Sequence, residues 1–194
     1  MGPTVVVTGA AEPVAAVSAA LKRGGAQVVS VDDLAGLDAA LEGVTAGSLA
    51  GYVQLPVHVA ARGASVVERV RNFLEDGLLA RFAAASTILP AMSEKGLVIL
   101  VGGNTLVETS TPDDHDARLA LLGVLAHAIA ADTSSTGIEV RVLAHDEAAE
   151  RIAGVALGAE PAGQPTLAEM LDHEPPMSFD EWRIEVMGLV NGEF

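Results

Sequence analysis

Residues 4–25 read Thr-Val-Val-Val-Thr-Gly-Ala-Ala-Glu-Pro-Val-Ala-Ala-Val-Ser-Ala-Ala-Leu-Lys-Arg-Gly-Gly. The β-branched run Thr4–Thr8 predicts a strand. From Pro13 to Leu21 the apolar residues Val14, Val17 and Leu21 fall on one helical face, and Gly24-Gly25 stops the helix. A strand, a short turn and a helix in this order form the first half of a βαβ unit.

Reading outward, the same alternation continues. Gln27–Val31 predicts a second strand, Leu34–Leu41 a small helix and Gly51–Leu55 a third strand. Ser65–Ser93 is long enough for about eight helical turns, which Pro90 bends or ends early. Leu97–Val101 predicts a buried strand, Ile138–Leu143 another, and Glu147–Leu157 a helix. Between them Thr111-Pro112-Asp113-Asp114 has a hydroxyl cap, a proline at the first helical position and carboxylates at the positive end of the dipole. The helix they start is expected to reach Ala131. Its Leu119, Leu121, Leu122, Val124, Leu125 and Ile129 point in every direction, so it needs cover on both faces: the sheet on one, a second subunit on the other. Strands alternating with helices predict an α/β fold, a Rossmann-like doubly wound parallel sheet in one compact domain. That domain is expected over residues 1–165. A helical tail over 166–194 is expected to pack on the domain or on a partner, with capping boxes Thr166/Glu169 and Ser178/Glu181 and a docking seam of Phe179, Trp182 and Val186.

Composition narrows the classes of function. The 194 residues are 50% hydrophobic, enough for one core, and no internal repeat divides them. The absence of cysteine removes disulfides, thiolate catalysis and thiolate metal sites. A net charge of -15 argues against nucleic acid and anionic membranes, which require clustered Lys and Arg. Acidity is densest in residues 139–194, where 12 acidic residues face Arg141, Arg151 and Arg183. No apolar run is long enough to span a bilayer, and the first residues carry no basic segment or cleavage site, so a soluble cytoplasmic protein is expected.

Four local matches, in order, carry a family resemblance over residues 4–166. They are Val-Val-Val-Thr8-Gly9-Ala10; Leu89-Pro90-Ala91-Met92 before Gly96-Leu-Val-Ile-Leu; Ala120-Leu-Leu-Gly123 before Gly137-Ile-Glu-Val-Arg-Val142; and Ile152-Ala-Gly-Val-Ala156 with Ala162-Gly163 behind it. Together the chain resembles the short-chain dehydrogenase/reductases. The gap from Asp32 to Gly51 is short for that family, which implies that one strand-helix unit has been trimmed.

The resemblance implies sites, and the residues at those sites depart from the family pattern. The family's first turn, Thr-Gly-x-x-x-Gly-x-Gly, lets backbone approach a pyrophosphate at a helix N-terminus. Here Thr8 and Gly9 remain, while spacing puts Pro13 and Ala15 at the second and third glycines, with Glu12 beside them. An ordinary helix start with an acidic cap and a proline is expected there. Retained dinucleotide binding is the alternative, with Glu12 itself in the anion site as a further possibility. Asp32 matches the ribose-binding acid, although an Asp at a strand end also serves as a turn residue. The family's chemistry needs a Tyr and a Lys four residues later that lowers its pKa. Spacing puts Asp114, or His115, at the Tyr position and Arg118 at the Lys position; Gly103 stands at the serine, with Thr105 the nearest hydroxyl, and Gly77 at the helix asparagine, with Asn72 about a turn away.

Other groupings carry less. Asp113-Asp114-His115-Asp116 offers carboxylate and imidazole ligands, but the helix start accounts for the acids, and no metal is expected. His58, His127, His145 and His173 show no metal spacing, and His127 is expected in the core or an interface. No Gly-x-Ser-x-Gly elbow is present. Gly102-Gly103-Asn104-Thr105 reads as a turn more readily than as an anion cradle. The expectation is a catalytically degenerate relative of the family, with no cofactor, acting as a structural or regulatory subunit. It would form a homo-oligomer, or a hetero-oligomer with an active homologue, through helices 65–93 and 113–131. The alternatives are an NAD(P)-dependent oxidoreductase with an atypical site, and a small-ligand binding protein using the cleft above Gly9 and Gly103.

Overall fold

In the computed structural model, residues 2–57, 63–73, 75, 79–102, 112–143 and 148–159 are described, with the backbone alone described for 66, 69, 70, 73 and 112–121. The strands are β1 (Thr4–Thr8), β2 (Gln27–Val31), β3 (Leu49–Gln54), β4 (Met92–Val101) and β5 (Glu139–Leu143). The helices are α1 (Ala11–Arg23), α2 (Leu37–Leu41), α3 (Val66–Phe73), α4 (Ala80–Ile88), α5 (Pro112–Asp132) and α6 (Ala149–Ala156).

All four strand pairings are parallel, in the order β2-β1-β3-β4-β5. Removing the outer strand from the doubly wound order 3-2-1-4-5-6 leaves this arrangement, with β2 at one edge among the described residues. The core divides between the two faces of the sheet. On one, Val14, Val17 and Leu21 of α1 and Ile152, Ala153 and Val155 of α6 cover Val5, Val7, Val53 and Ile99. On the other, Leu37 of α2, Ala84, Ala85 and Ile88 of α4, and Leu122, Leu125, Ala126 and Ile129 of α5 cover Val6, Tyr52, Val98 and Leu100. Strands buried on both faces read as nearly continuous apolar runs, which is why β1 and the second half of β4 are legible in the sequence.

Several local readings gain detail. The helical segment 65–93, expected to be bent or ended early by Pro90, ends at Ile88; a 3-10 turn at Leu89–Ala91 follows, and Met92 already belongs to β4. Pro90 is the reason, since its ring and missing N–H forbid another α turn and fit the start of a 3-10 turn. Helix α3 begins with a capping box that the sequence reading passed over: Glu68 N–H donates to Ser65 Oγ (3.2 Å), and the Ala64 and Ser65 N–H groups donate to Glu68 Oε2 (2.8 and 3.0 Å). The last two bonds hold the Glu68 carboxyl below its usual range. Helix α5 buries one face and exposes Val124 (59%) on the other, and His127 is exposed rather than in the core. Its ring, three residues after Val124, shares the outward side. The expected tail over 166–194, with Phe179, Trp182 and Val186, lies outside the described residues.

Candidate functional site

Ligands of open parallel sheets bind outside the carboxyl ends of the strands, where neighbouring strands send their connections to opposite faces. In this chain that point lies between β1 and β3, at Thr8-Gly9 and Gln54-Leu55. Leu55 N–H donates to Thr8 O (2.7 Å) and closes the two strand ends together. Gly9 is in the left-handed region (φ 144), and a Cβ there would stand 2.6 Å from Leu55 Cβ and 3.0 Å from Leu55 O. Only glycine fits that corner.

Helix α1 then starts almost at once. Its N-cap is Ala10, with no side-chain cap, and Glu12 and Pro13 are the second and third residues of the first turn. The acidic cap expected from the sequence is therefore a first-turn carboxylate instead. Pro13 costs the helix little there, because the first four N–H groups of a helix have no intrahelical acceptor. The Gly9 N–H donates to Val31 O (3.3 Å) and the Ala10 N–H to Pro56 O (2.9 Å). Of the five residues from Gly9 to Pro13, the corner thus offers outward only the N–H groups of Ala11 and Glu12, beside the Glu12 carboxylate. That is a poor match to a diphosphate, which wants several donors and no anion. Ala15, the counterpart of the third glycine by spacing, is exposed; Val14 and Ser18 face the sheet instead, and Ser18 Oγ lies 2.8 Å from Ser30 Oγ of β2.

Asp32 and Asp33 follow β2 directly, and both are exposed. Asp33 is the turn residue, accepting from Ala35 N–H at 3.0 Å. Asp32, the counterpart of the ribose acid, stands beside the carboxyl end of β2, next to the corner. Asp114, His115 and Arg118 lie in the first two turns of α5, where the backbone alone is described. Gly77, Gly103, Asn104 and Thr105 lie outside the described residues, as do His58, His145 and His173. Asn72 is half-buried on α3. Among the described residues no three His, Asp or Glu side chains group as metal ligands, and no helix is long and apolar enough to cross a membrane.

The chain has one tyrosine and two lysines. Lys22 ends α1 and Lys95 lies early in β4, both at the amino edge of the sheet, opposite the crevice. Tyr52 is fully buried in β3. No Tyr-Lys pair is brought together.

Beneath the corner sits a polar cluster that sequence reasoning missed. Tyr52 Oη lies 3.1 Å from Thr8 Oγ1 and accepts from Gln54 Nε2 at 2.8 Å. Arg81 of α4 donates through Nε to Gln54 Oε1 (2.8 Å) and through Nη2 to Val101 O (2.9 Å), while Gln54 Nε2 returns a bond to Arg81 O (3.0 Å). All four side chains are nearly or fully buried. Burial pushes the Tyr52 phenol up, against the hydrogen bonds from Thr8 and Gln54, and pulls the Arg81 guanidinium down to about 10. The available signal was Gln54 and Arg81 themselves, polar residues inside otherwise apolar elements.

No protein-family model and no curated protein matches the sequence. Solved structures do match in shape. A short-chain dehydrogenase/reductase variant from Serratia marcescens is 20% identical over 86% of this chain and 94% of its own, with a TM-score of 0.61. The NADH-dependent enoyl-[acyl-carrier-protein] reductase from Aquifex aeolicus is 17% identical over 88% of this chain and 87% of its own, with a TM-score of 0.54. BdcA from E. coli is 18% identical over 82% and 94%, with a TM-score of 0.52. At these identities the likeness is one of fold. With its five parallel strands, its helices on both faces and its glycine-bearing first turn, the chain has the short-chain dehydrogenase/reductase fold.

Proposed function

We propose that this protein is a catalytically degenerate relative of the short-chain dehydrogenase/reductases, acting in the cytoplasm as a structural or regulatory subunit without a nicotinamide cofactor. The observation that carries the reading is the placement of its tyrosine and lysines. Tyr52 is sealed beneath the crevice, and Lys22 and Lys95 stand at the opposite edge of the sheet. A general acid needs to reach the substrate, and a pKa-lowering ammonium needs to stand beside it. Glu12 and Pro13 in the first turn of α1 support the absence of a dinucleotide. Leu79 (56% exposed) and Val124 (59%) leave apolar area on the segments 65–93 and 113–131, which suits a homo-oligomer or a pairing with an active homologue.

One observation favours a second reading, an NAD(P)-dependent oxidoreductase with an atypical site: Asp32 is exposed at the end of β2 and free of the turn that Asp33 caps. Calorimetric titration of the purified chain with NAD+, NADH, NADP+ and NADPH separates the two. The first reading expects binding no tighter than millimolar for all four and recovery of a related dehydrogenase with the chain from its native cells. Micromolar binding, or turnover of NAD(P)H by the chain alone, overturns it in favour of the second.

A further inference from the structure

Strand β2 forms one edge of the sheet, and among the described residues no strand pairs with its outer side. Its bonding pattern shows which groups face outward. Gln27 N–H donates to Pro3 O, and Val31 O accepts from Gly9 N–H, so Gln27, Val29 and Val31 bond toward β1. By the alternation of a parallel ladder, the N–H and C=O groups of Val28 and Ser30 point away from the sheet.

Natural edges are blunted with charge, proline or bulges. Among the described strands the other edge follows that rule, since β5 carries the Glu139–Arg141 ion pair. Strand β2, Gln-Val-Val-Ser-Val, has no charge, no proline and no left-handed residue, and pairs with β1 in unbroken register. Its two ends are oppositely charged: Lys22 precedes it at the end of α1, where the neighbouring Arg23 is paired with Glu150 of α6 (3.1 Å), and Asp32 and Asp33 follow it; Lys22, Asp32 and Asp33 are exposed. An antiparallel copy of the same strand brings each cationic end alongside the other's acidic end. In a chain of net charge -15, this is a place where two copies meet with opposite signs.

We propose that β2 is a self-association edge, joining two copies of this chain about a twofold axis at Val29 into one continuous ten-stranded sheet. In that register Val28 faces Ser30 of the second copy and exchanges both backbone bonds with it, and the symmetric pair does the same, giving four hydrogen bonds. Val29 meets its own counterpart as a close, non-bonded pair, and Asp32 comes opposite Ala26, toward the Lys22 end. The interface is separate from segments 65–93 and 113–131 and does not depend on the functional reading above.

Sedimentation equilibrium of the full chain, with amide hydrogen exchange on the same samples, tests the edge. The expected result is a reversible dimer in which the Val28 and Ser30 amides gain protection as protein concentration rises. Ser30→Pro removes an outward N–H and leaves the β1 ladder intact; it is expected to raise the dimer Kd about 30-fold, for two lost hydrogen bonds at about 1 kcal/mol each, with unchanged circular dichroism. A second pair of variants keeps the test sharp should proline unfold the strand. Lys22→Glu and Asp32→Lys should each self-associate less than the parent and should pair with one another when mixed. A monomer at every concentration overturns the proposal. So does a dimer whose Val28 and Ser30 amides stay unprotected, because another surface then makes it. Protection that is independent of concentration also overturns it, because another part of the same chain then covers the edge.

Discussion

Arg81 Nε and Gln54 Oε1 stand 2.8 Å apart in the core, and this contact ties helix α4 to the carboxyl end of β3. The same guanidinium reaches Val101 O at the end of β4, so one side chain holds together two strand ends and a helix under the candidate site. A cation is kept in the interior here because its donors meet a side-chain amide and backbone carbonyls in fixed geometry. The arrangement makes the floor of the crevice rigid. It also makes the cluster fragile to any change that removes one member alone.

Replacing Arg81 by leucine is therefore expected to destabilise the fold by about 3 kcal/mol, since Gln54 Oε1 and Val101 O lose a donor in a buried setting. Gln54→Leu alone should cost a similar amount, because it takes the side-chain acceptor from Arg81 Nε in a buried setting. The double variant should cost clearly less than the sum, with a coupling of about 1–2 kcal/mol in a double-mutant cycle measured by urea unfolding. Strict additivity would show that the contact carries no stability.

Tyr52 is the only tyrosine, so its ionisation can be followed directly by the tyrosinate absorbance band. Burial raises its pKa above the ordinary 10.0 in the folded state. Below pH 10 the phenol is protonated in both states and its contribution to stability is whole. As pH rises past 10, the unfolded chain releases the proton first, so that contribution shrinks and is gone once the folded-state pKa is passed. Arg81, pulled down to about 10 from 12.5, acts in the opposite sense above pH 10, as the unfolded chain then holds the extra proton. The tyrosinate signal is thus expected to stay low above pH 10 in the native protein and to rise together with the loss of circular dichroism. A native protein that titrates near pH 10 would contradict the buried phenol. Tyr52→Phe should cost about 1 kcal/mol, for the bonds to Thr8 and Gln54.

Two glycines should respond in opposite directions to alanine. Gly9→Ala places a methyl 2.6 Å from Leu55 Cβ at a positive φ, with loss of about 3 kcal/mol of stability expected. A methyl at Gly36 would meet no atom within 4 Å, and the backbone there has no positive φ, so Gly36→Ala should stabilise by about 0.5 kcal/mol through the unfolded chain. Thermal unfolding of the two variants side by side checks both signs.

Much of the architecture was already legible. Strands β1 and β2 run over Thr4–Thr8 and Gln27–Val31 as their β-branched content predicts. Local signals suffice there because a strand buried on both faces has to be apolar throughout, and because glycine and proline punctuate the chain through backbone sterics alone. The early end of the long helix was legible from Pro90 alone, although apolar periodicity continues through Leu89–Met92.

What tertiary structure alone decided is which polar residues meet. Thr8, Tyr52, Gln54 and Arg81 are separated by up to 73 positions, and although Gln54 and Arg81 stand out as polar residues among apolar neighbours, nothing in their own segments says which residue each of them meets. Their union depends on β1 and β3 lying side by side with α4 packed across them, a consequence of sheet order and crossover direction rather than of local propensity. The exposure of β2 is of the same kind. Its sequence specifies a strand, while its position at the edge of the described sheet, with two residues' hydrogen-bonding groups turned outward, is set by the order in which the strands assemble.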